Sequence, residues 1–262
     1  MVKYLIIIPC IFILISCEKT GIVDSDLPLQ NVVVVCGELN PEATFEGVAF
    51  TKLLPVGIPY DIKKAELKDV IAYIRIDNAK IIPLHYAGDG VYKPLYGLFI
   101  QAGSVYELFA EWEGNIIYSS TKVPFPPEVN NVSYNSNGNS FQADVNTRAD
   151  EVYGAIWVIG FTSEQANTFP FLGIPDAGKS NITVSTTEIP AKYSDKYYNG
   201  SRNIQVFSYD NQYTAYFNSA KVNVPLGNAF FQNGGETVWN VLGNNVIGMF
   251  IGVGKGKIKN VN

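Results

Sequence analysis

Histidine and cysteine are scarce in this 262-residue chain: one histidine, His85, and three cysteines, Cys10, Cys17 and Cys36. A structural metal centre needs about four converging imidazole, thiolate or carboxylate ligands. A lone histidine without such neighbours makes a poor site, so His85 is expected as a half-exposed strand residue. Cys10 and Cys17 fall within the first seventeen residues, leaving Cys36 with no disulfide partner. In the run Val32-Val33-Val34-Val35-Cys36 that thiol is expected to be a small buried hydrophobe.

Charge is scarce as well. Asp, Glu, Lys and Arg make up 16% of the chain, against about 25% in average proteins, and the formal net charge is -5. The basic residues are scattered, so the electrostatic footprint of a nucleic-acid binder is missing. Asp24, Asp26, Asp89 and Asp150 belong to no Asp-x-Asp-x-Asp-Gly calcium loop and read as solvated turn carboxylates. Glu111 and Glu113 lie beside a hairpin turn, where surface charge accounts for them without acid–base chemistry. No enzyme and no cofactor are expected.

What is present begins at the N-terminus. Lys3, an apolar run from Tyr4 to Ile15, and Leu14-Ile15-Ser16-Cys17 have the order of a secretory signal. The run is shorter than the roughly 20 residues of a membrane-spanning helix. Leu14-Ile15-Ser16-Cys17 reads as a lipobox, which makes 1–16 a signal peptide and Cys17 the lipid-attachment residue. Two or more acyl chains on Cys17 give stable anchoring. Glu18 follows where an aspartate would favour inner-membrane retention, so a lipid-anchored outer-membrane destination is expected, with the leaflet left open. Residues 17–30 lack apolar periodicity and read as a tether.

The rest has β composition. Aromatic residues reach 13%, with sixteen tyrosines and fifteen phenylalanines, and Tyr, Phe, Val, Ile and Thr favour strands. Alternating runs bounded by Gly, Asn, Asp and Pro predict strands over most of the chain, with a hairpin turn at Glu113-Gly114-Asn115. Asp61 to Lys68 is either one helical turn or a charged loop, and Asn211 to Lys221 has helical spacing. Pro124-Phe125-Pro126-Pro127 is the clearest punctuation, because three prolines in four residues disfavour helix and central strand alike. The fold class expected is all-β with two tandem β-sandwich-like domains, 31–123 and 128–262, joined by the proline linker 124–127.

Gly173-Ile174-Pro175-Asp176-Ala177-Gly178-Lys179-Ser180 matches the nucleotide-binding P-loop letter for letter. That loop works only where a helix follows and aims its N–H groups at phosphates. Here Asn181 to Ser185 has strand character, so a surface loop is expected. Tyr193, Tyr197, Tyr198 and Tyr213, with Trp239, form an aromatic-rich stretch. Such rings stack on sugars, or they fill a core or a protein interface.

Cys17-Glu18-Lys19, Asp26-Leu27-Pro28 and Val32-Val33-Val34-Val35-Cys36-Gly37-Glu38-Leu39 together resemble the opening of the DUF4249 lipoproteins of Bacteroidota. Gly90-Val91-Tyr92, Gly103-Ser104-Val105-Tyr106-Glu107-Leu108 and Tyr118-Ser119-Ser120-Thr121-Lys122-Val123-Pro124 are similar to later landmarks of that family. The resemblance covers the mature chain loosely and its first half best, and its motifs mark strands and turns. It implies an immunoglobulin-like first domain and a cell-envelope role beside a TonB-dependent outer-membrane receptor. The function expected is a non-enzymatic accessory or binding protein attached to the membrane through its N-terminal lipid. The alternatives are a surface glycan-binding module and a fimbrial subunit or anchor.

Overall fold

The computed structural model describes residues 32–55, 57–159, 164–165, 171–173, 179–195, 200–214 and 240–261. Its elements are β1 (Val33–Leu39), β2 (Val48–Lys52), α1 (Ile62–Ala65), β3 (Ile71–Ile76), β4 (Lys80–Gly88), β5 (Val91–Lys93), β6 (Val105–Trp112) and β7 (Asn115–Lys122) in the first half. The second half contributes β8 (Glu128–Asn135), β9 (Ser140–Asn146), β10 (Glu151–Ile159), β11 (Glu164–Gln165), β12 (Phe171–Gly173), β13 (Asn181–Ser185), α2 (Ala191–Ser194), β14 (Arg202–Asp210), β15 (Val241–Leu242), β16 (Val246–Lys255) and β17 (Lys259–Asn260). The fold is all-β and sandwich-like, and both helices are single turns.

Local chemistry sets the hairpins. Asp77 and Asn78 between β3 and β4, and Glu113 and Gly114 between β6 and β7, all have positive φ, which suits the strong twist of two-residue hairpins. Along the strands, side chains alternate between interior and surface. Ile74, Leu108 and Ile117 are fully buried in the first core, while Phe141, Val145 and Tyr153 are fully buried in the second.

Most of the first core precedes the proline segment and all of the second follows it, yet both draw on one sheet. A curled sheet runs β11-β10-β14-β16-β1-β2-β5-β4-β3-β6-β7-β15, with β13-β9-β8 forming a smaller sheet over the second core. Strand β16 joins the halves. Its residues 246–252 pair in parallel with 33–39 of β1, and Val253, Gly254 and Lys255 pair with Tyr209, Ser208 and Phe207 of β14. The first core therefore includes Val241, Val246 and Phe250 from the end of the chain.

Asn240 closes the curl. Its Nδ2 donates to the Phe250 carbonyl at 2.6 Å, and its Oδ1 accepts from the Phe250 N–H at 2.9 Å. One side-chain amide thus replaces a strand pairing. The Asn240 carbonyl in turn accepts from the Ser119 hydroxyl of β7 at 2.8 Å.

The proline linker packs across the glycines of β16. A Cβ on Gly252 would stand 2.6 Å from Val123 Cα, and one on Gly254 would stand 2.2 Å from Ser208 Oγ and 2.6 Å from the Phe125 carbonyl oxygen. Prolines cannot donate to a ladder, so side chains supply the remaining bonds. The Ser208 hydroxyl donates to the Phe125 carbonyl at 2.6 Å, the Phe125 N–H to Glu151 Oε1 at 3.0 Å, and the Lys122 N–H to Asp210 Oδ2 at 2.7 Å. Thr121 Oγ1 donates to the same Asp210 oxygen at 3.1 Å and accepts from the Gly252 N–H at 3.1 Å.

Cys36 corrects the sequence expectation. It faces outward and is exposed, because β1 alternates and its buried side belongs to Val33, Val35, Gly37 and Leu39. The valine run hid that alternation.

Replacing Gly254 with alanine should lower unfolding free energy by about 2 kcal/mol, since the linker backbone cannot withdraw from the added methyl. Gly97→Ala, whose nearest neighbour would be Thr44 Cγ2 at 3.7 Å, should change stability far less. Chemical denaturation of both variants checks this; equal losses would show that the linker contact is not the constraint.

Candidate functional site

The two sequence-nominated aromatics among the described residues, Tyr193 and Tyr213, are not exposed. Tyr193, on α2, is 7% exposed and packs on Trp157 with ring centroids 5.9 Å apart. Tyr213 is 5% exposed, stacks on Tyr209 at 5.8 Å, and donates its hydroxyl to Met249 Sδ at 3.6 Å. Both are core side chains, the packing alternative for this stretch. Tyr197, Tyr198, Trp239 and Cys17, the expected lipid-attachment residue, lie outside the described residues.

The P-loop-like segment begins at Gly173, the end of β12, and Ser180 leads directly into β13. Residues 174–178 lie outside the described residues. Thr147 fixes the far end of the segment: its hydroxyl donates to the Lys179 carbonyl at 2.8 Å and its N–H to the Ser180 carbonyl at 2.9 Å. With a strand after Ser180, no helix N-terminus delivers amides to a phosphate. His85 is exposed on β4 opposite Lys93. Among the described residues no three His, Cys, Asp or Glu side chains gather into a metal site.

An outward face on the first unit is better organised. Antiparallel register aligns Pro83 of β4, Tyr73 of β3, Phe109 of β6, Tyr118 of β7 and Leu242 of β15 in one row across five strands. Opposed side chains on one face of a sheet interact directly. Tyr73 and Phe109 are stacked at 5.0 Å with an 11° interplanar angle, and Tyr118 is tilted against Phe109, also at 5.0 Å. Leu242 ends the row 63% exposed.

A polar row runs alongside. Arg75 Nε donates to Glu107 Oε2 at 2.7 Å, and Arg75 Nη2 to Glu107 Oε1 at 2.8 Å. The Tyr118 hydroxyl donates to Glu107 Oε1 at 3.0 Å, and the Arg75 guanidinium lies 4.9 Å from the Phe109 ring centre. This bidentate pair is charge-assisted and geometrically fixed. The Arg75 hydrogen bonds hold the Glu107 carboxyl below the usual carboxylate range, outweighing its desolvation. Burial, reinforced by the bond to Glu107, pushes the Tyr118 phenol up. Glu107 stays ionised and Tyr118 neutral at physiological pH, so neither is poised to move protons. The arrangement stiffens this face of the sheet.

Sequence reasoning placed strands β3, β6 and β7 but did not single out this face. The signal was the alternation Tyr73/Arg75 against Glu107/Phe109, which acquires meaning only when register is known.

A depressed carboxyl pKa contributes stability above the unfolded value of about 4.3 and loses it as pH falls through the folded value. Glu107→Gln should therefore be less stable than the unaltered chain at pH 7, and the gap should narrow below about pH 4. Thermal unfolding from pH 3 to 7 reads this; a constant gap would remove the ion pair from the stability of the face.

No family model matches the chain, and no curated protein matches it. Among solved structures it is similar to two chains titled "Cytokine receptor complex - Crystal form 2" and "Cytokine receptor complex - Crystal form 1A", at 13% and 11% identity. The first match covers 67% of this chain and 90% of that one, the second 86% and 92%, each with a TM-score of 0.27. A likeness of this size carries no argument about function.

Proposed function

We propose that this chain is a lipid-anchored, non-enzymatic accessory protein of the cell envelope that binds a protein partner through the outward face of β3, β6, β7 and β15. The observation that carries this reading is the Tyr73–Phe109–Tyr118–Leu242 row, an apolar and aromatic strip held rigid by the Arg75–Glu107 pair. Aromatic residues and arginine are the side chains enriched at protein interfaces. The lipobox ending at Cys17 supports attachment to an outer membrane. The resemblance to DUF4249 lipoproteins supports a TonB-dependent transporter as partner.

The same row argues against a sugar platform. Stacking on a pyranose needs a free ring face, whereas the Phe109 ring is approached by the Arg75 guanidinium and flanked by Tyr73 and Tyr118. A flat protein surface can cover such a strip without displacing the guanidinium.

Metabolic labelling with palmitate should mark the chain and should fail on Cys17→Ser. Solubilisation in mild detergent should recover the acylated chain with a transporter. The double change Tyr73→Ser with Leu242→Asp should cut that recovery about tenfold while acylation is unchanged. Recovery of the unaltered chain solely as a free monomer would overturn the partner assignment.

A further inference from the structure

The first unit has two ends, and both carry outward apolar side chains: Leu95, Tyr96 and Phe99 at one, and a larger group at the end where the described chain begins. Val33 at the start of β1 pairs with Lys52 at the end of β2, and the Leu53 N–H donates to the Val32 carbonyl at 3.0 Å. The first described residues of the chain therefore lie beside the loop that follows β2. Register places the start of β3, the end of β6 and the start of β7 together, through Ile71 opposite Glu111 and Glu111 opposite Ile116. The end of β4 pairs with the start of β5, which in turn pairs with β2, so all these termini belong to the same end.

Leu53, Ile58, Tyr60, Ile71 and Ile116 project from this rim at 40%, 46%, 71%, 71% and 72% exposure, five of the fourteen large apolar side chains that are exposed among the described residues. Isolated exposed apolar residues need no explanation, but a cluster marks an interaction surface. The loop that carries Ile58 is tightly turned, with the Ile58 N–H donating to the Pro55 carbonyl at 3.2 Å. Behind it the α1 segment is pinned by the buried Glu66 carboxylate, which accepts from the Tyr86 hydroxyl and pairs with Lys68 at 3.0 Å.

We propose that this rim rests on the surface of a lipid bilayer, with Leu53, Ile58 and Tyr60 entering the headgroup boundary. The proposal builds on the lipid-anchored reading above. Cys17 to Asn31 is fifteen residues, a chain that reaches at most about 50 Å when extended. It ends at Val32, on this rim, so acyl chains on Cys17 favour this end near the bilayer at high effective concentration. Tyrosine at such a boundary keeps its hydroxyl in water while its ring is buried.

Charge does not drive the contact. Lys52, Lys63, Lys64 and Lys68 on this end are outnumbered by Asp61, Glu66, Asp69, Asp89, Glu111 and Glu113, with Lys63 bound to Asp89 at 2.5 Å and Lys64 to Asp61 at 4.0 Å. The surface it suits is zwitterionic and is engaged by apolar insertion.

Flotation of full-length Cys17→Ser chain with phosphatidylethanolamine–phosphatidylcholine vesicles separates the rim from the acyl anchor. The Cys17→Ser chain should float weakly, with little response to salt. Adding Ile58→Asp and Tyr60→Asp should lower the bound fraction at least about tenfold, while Tyr96→Asp at the opposite end should not. On the acylated chain, hydroxyl-radical labelling of Tyr60 should slow in vesicles relative to Tyr96. No flotation of Cys17→Ser, together with equal labelling of Tyr60 and Tyr96 on vesicles, overturns the proposal. Failure of acylation alone would instead overturn the anchor and leave the flotation result to decide the rim.

Discussion

The contact between the proline linker and the glycines of β16 is the constraint on which the molecule depends. A strand ten residues long pairs with β1 at one end and with β14 at the other, so its buried side chains join the first core to the junction cluster of Val152, Tyr209, Tyr213, Ile251 and Val253. The linker can cross it closely because Gly252 and Gly254 present no side chain there. Prolines remove ladder donors, and Ser208, Glu151 and Asp210 reach in to satisfy the groups that remain. Buried polar groups that lack partners are costly, which makes this junction a locked seam and not a loose tether between beads.

That seam places the outward face. Fixing β16 against β1 fixes the order β1-β2-β5-β4-β3-β6-β7 that follows, and the side-chain period of two then decides which residues meet the first core. Ile74, Leu108 and Ile117 go inward, so Tyr73, Phe109 and Tyr118 must go outward. A slip of one residue would reverse every assignment. Glu107 is ionised because Arg75 is one strand away and two well-aimed hydrogen bonds outweigh its partial desolvation. The pair organises the surface rather than performing chemistry on it.

Much of the architecture was legible. Strands β3, β6, β7, β10 and β14 follow from alternation and β-favouring composition, and the turns at Asp77-Asn78 and Glu113-Gly114 follow from residues that accept positive φ. The site was less legible. The tyrosines that drew attention by density, Tyr193 and Tyr213, pack into the second core and the junction, because aromatic abundance does not distinguish a platform from an interior. Cys36 was misplaced for a related reason: five apolar residues in a row conceal the period that sends the fifth one outward.

The sequence by itself determined the β class, most strand positions and most turns, since each rests on residues close together in the chain. Tertiary structure alone decided the parallel pairing of β1 with β16, the closure of the curl by Asn240 and the alignment of Tyr73, Phe109, Tyr118 and Leu242. Those features join residues as many as 213 positions apart, as Val33 and Val246 are. Local propensity carries no information about such pairings; they are selected only when burial and hydrogen bonding are satisfied across the whole molecule together.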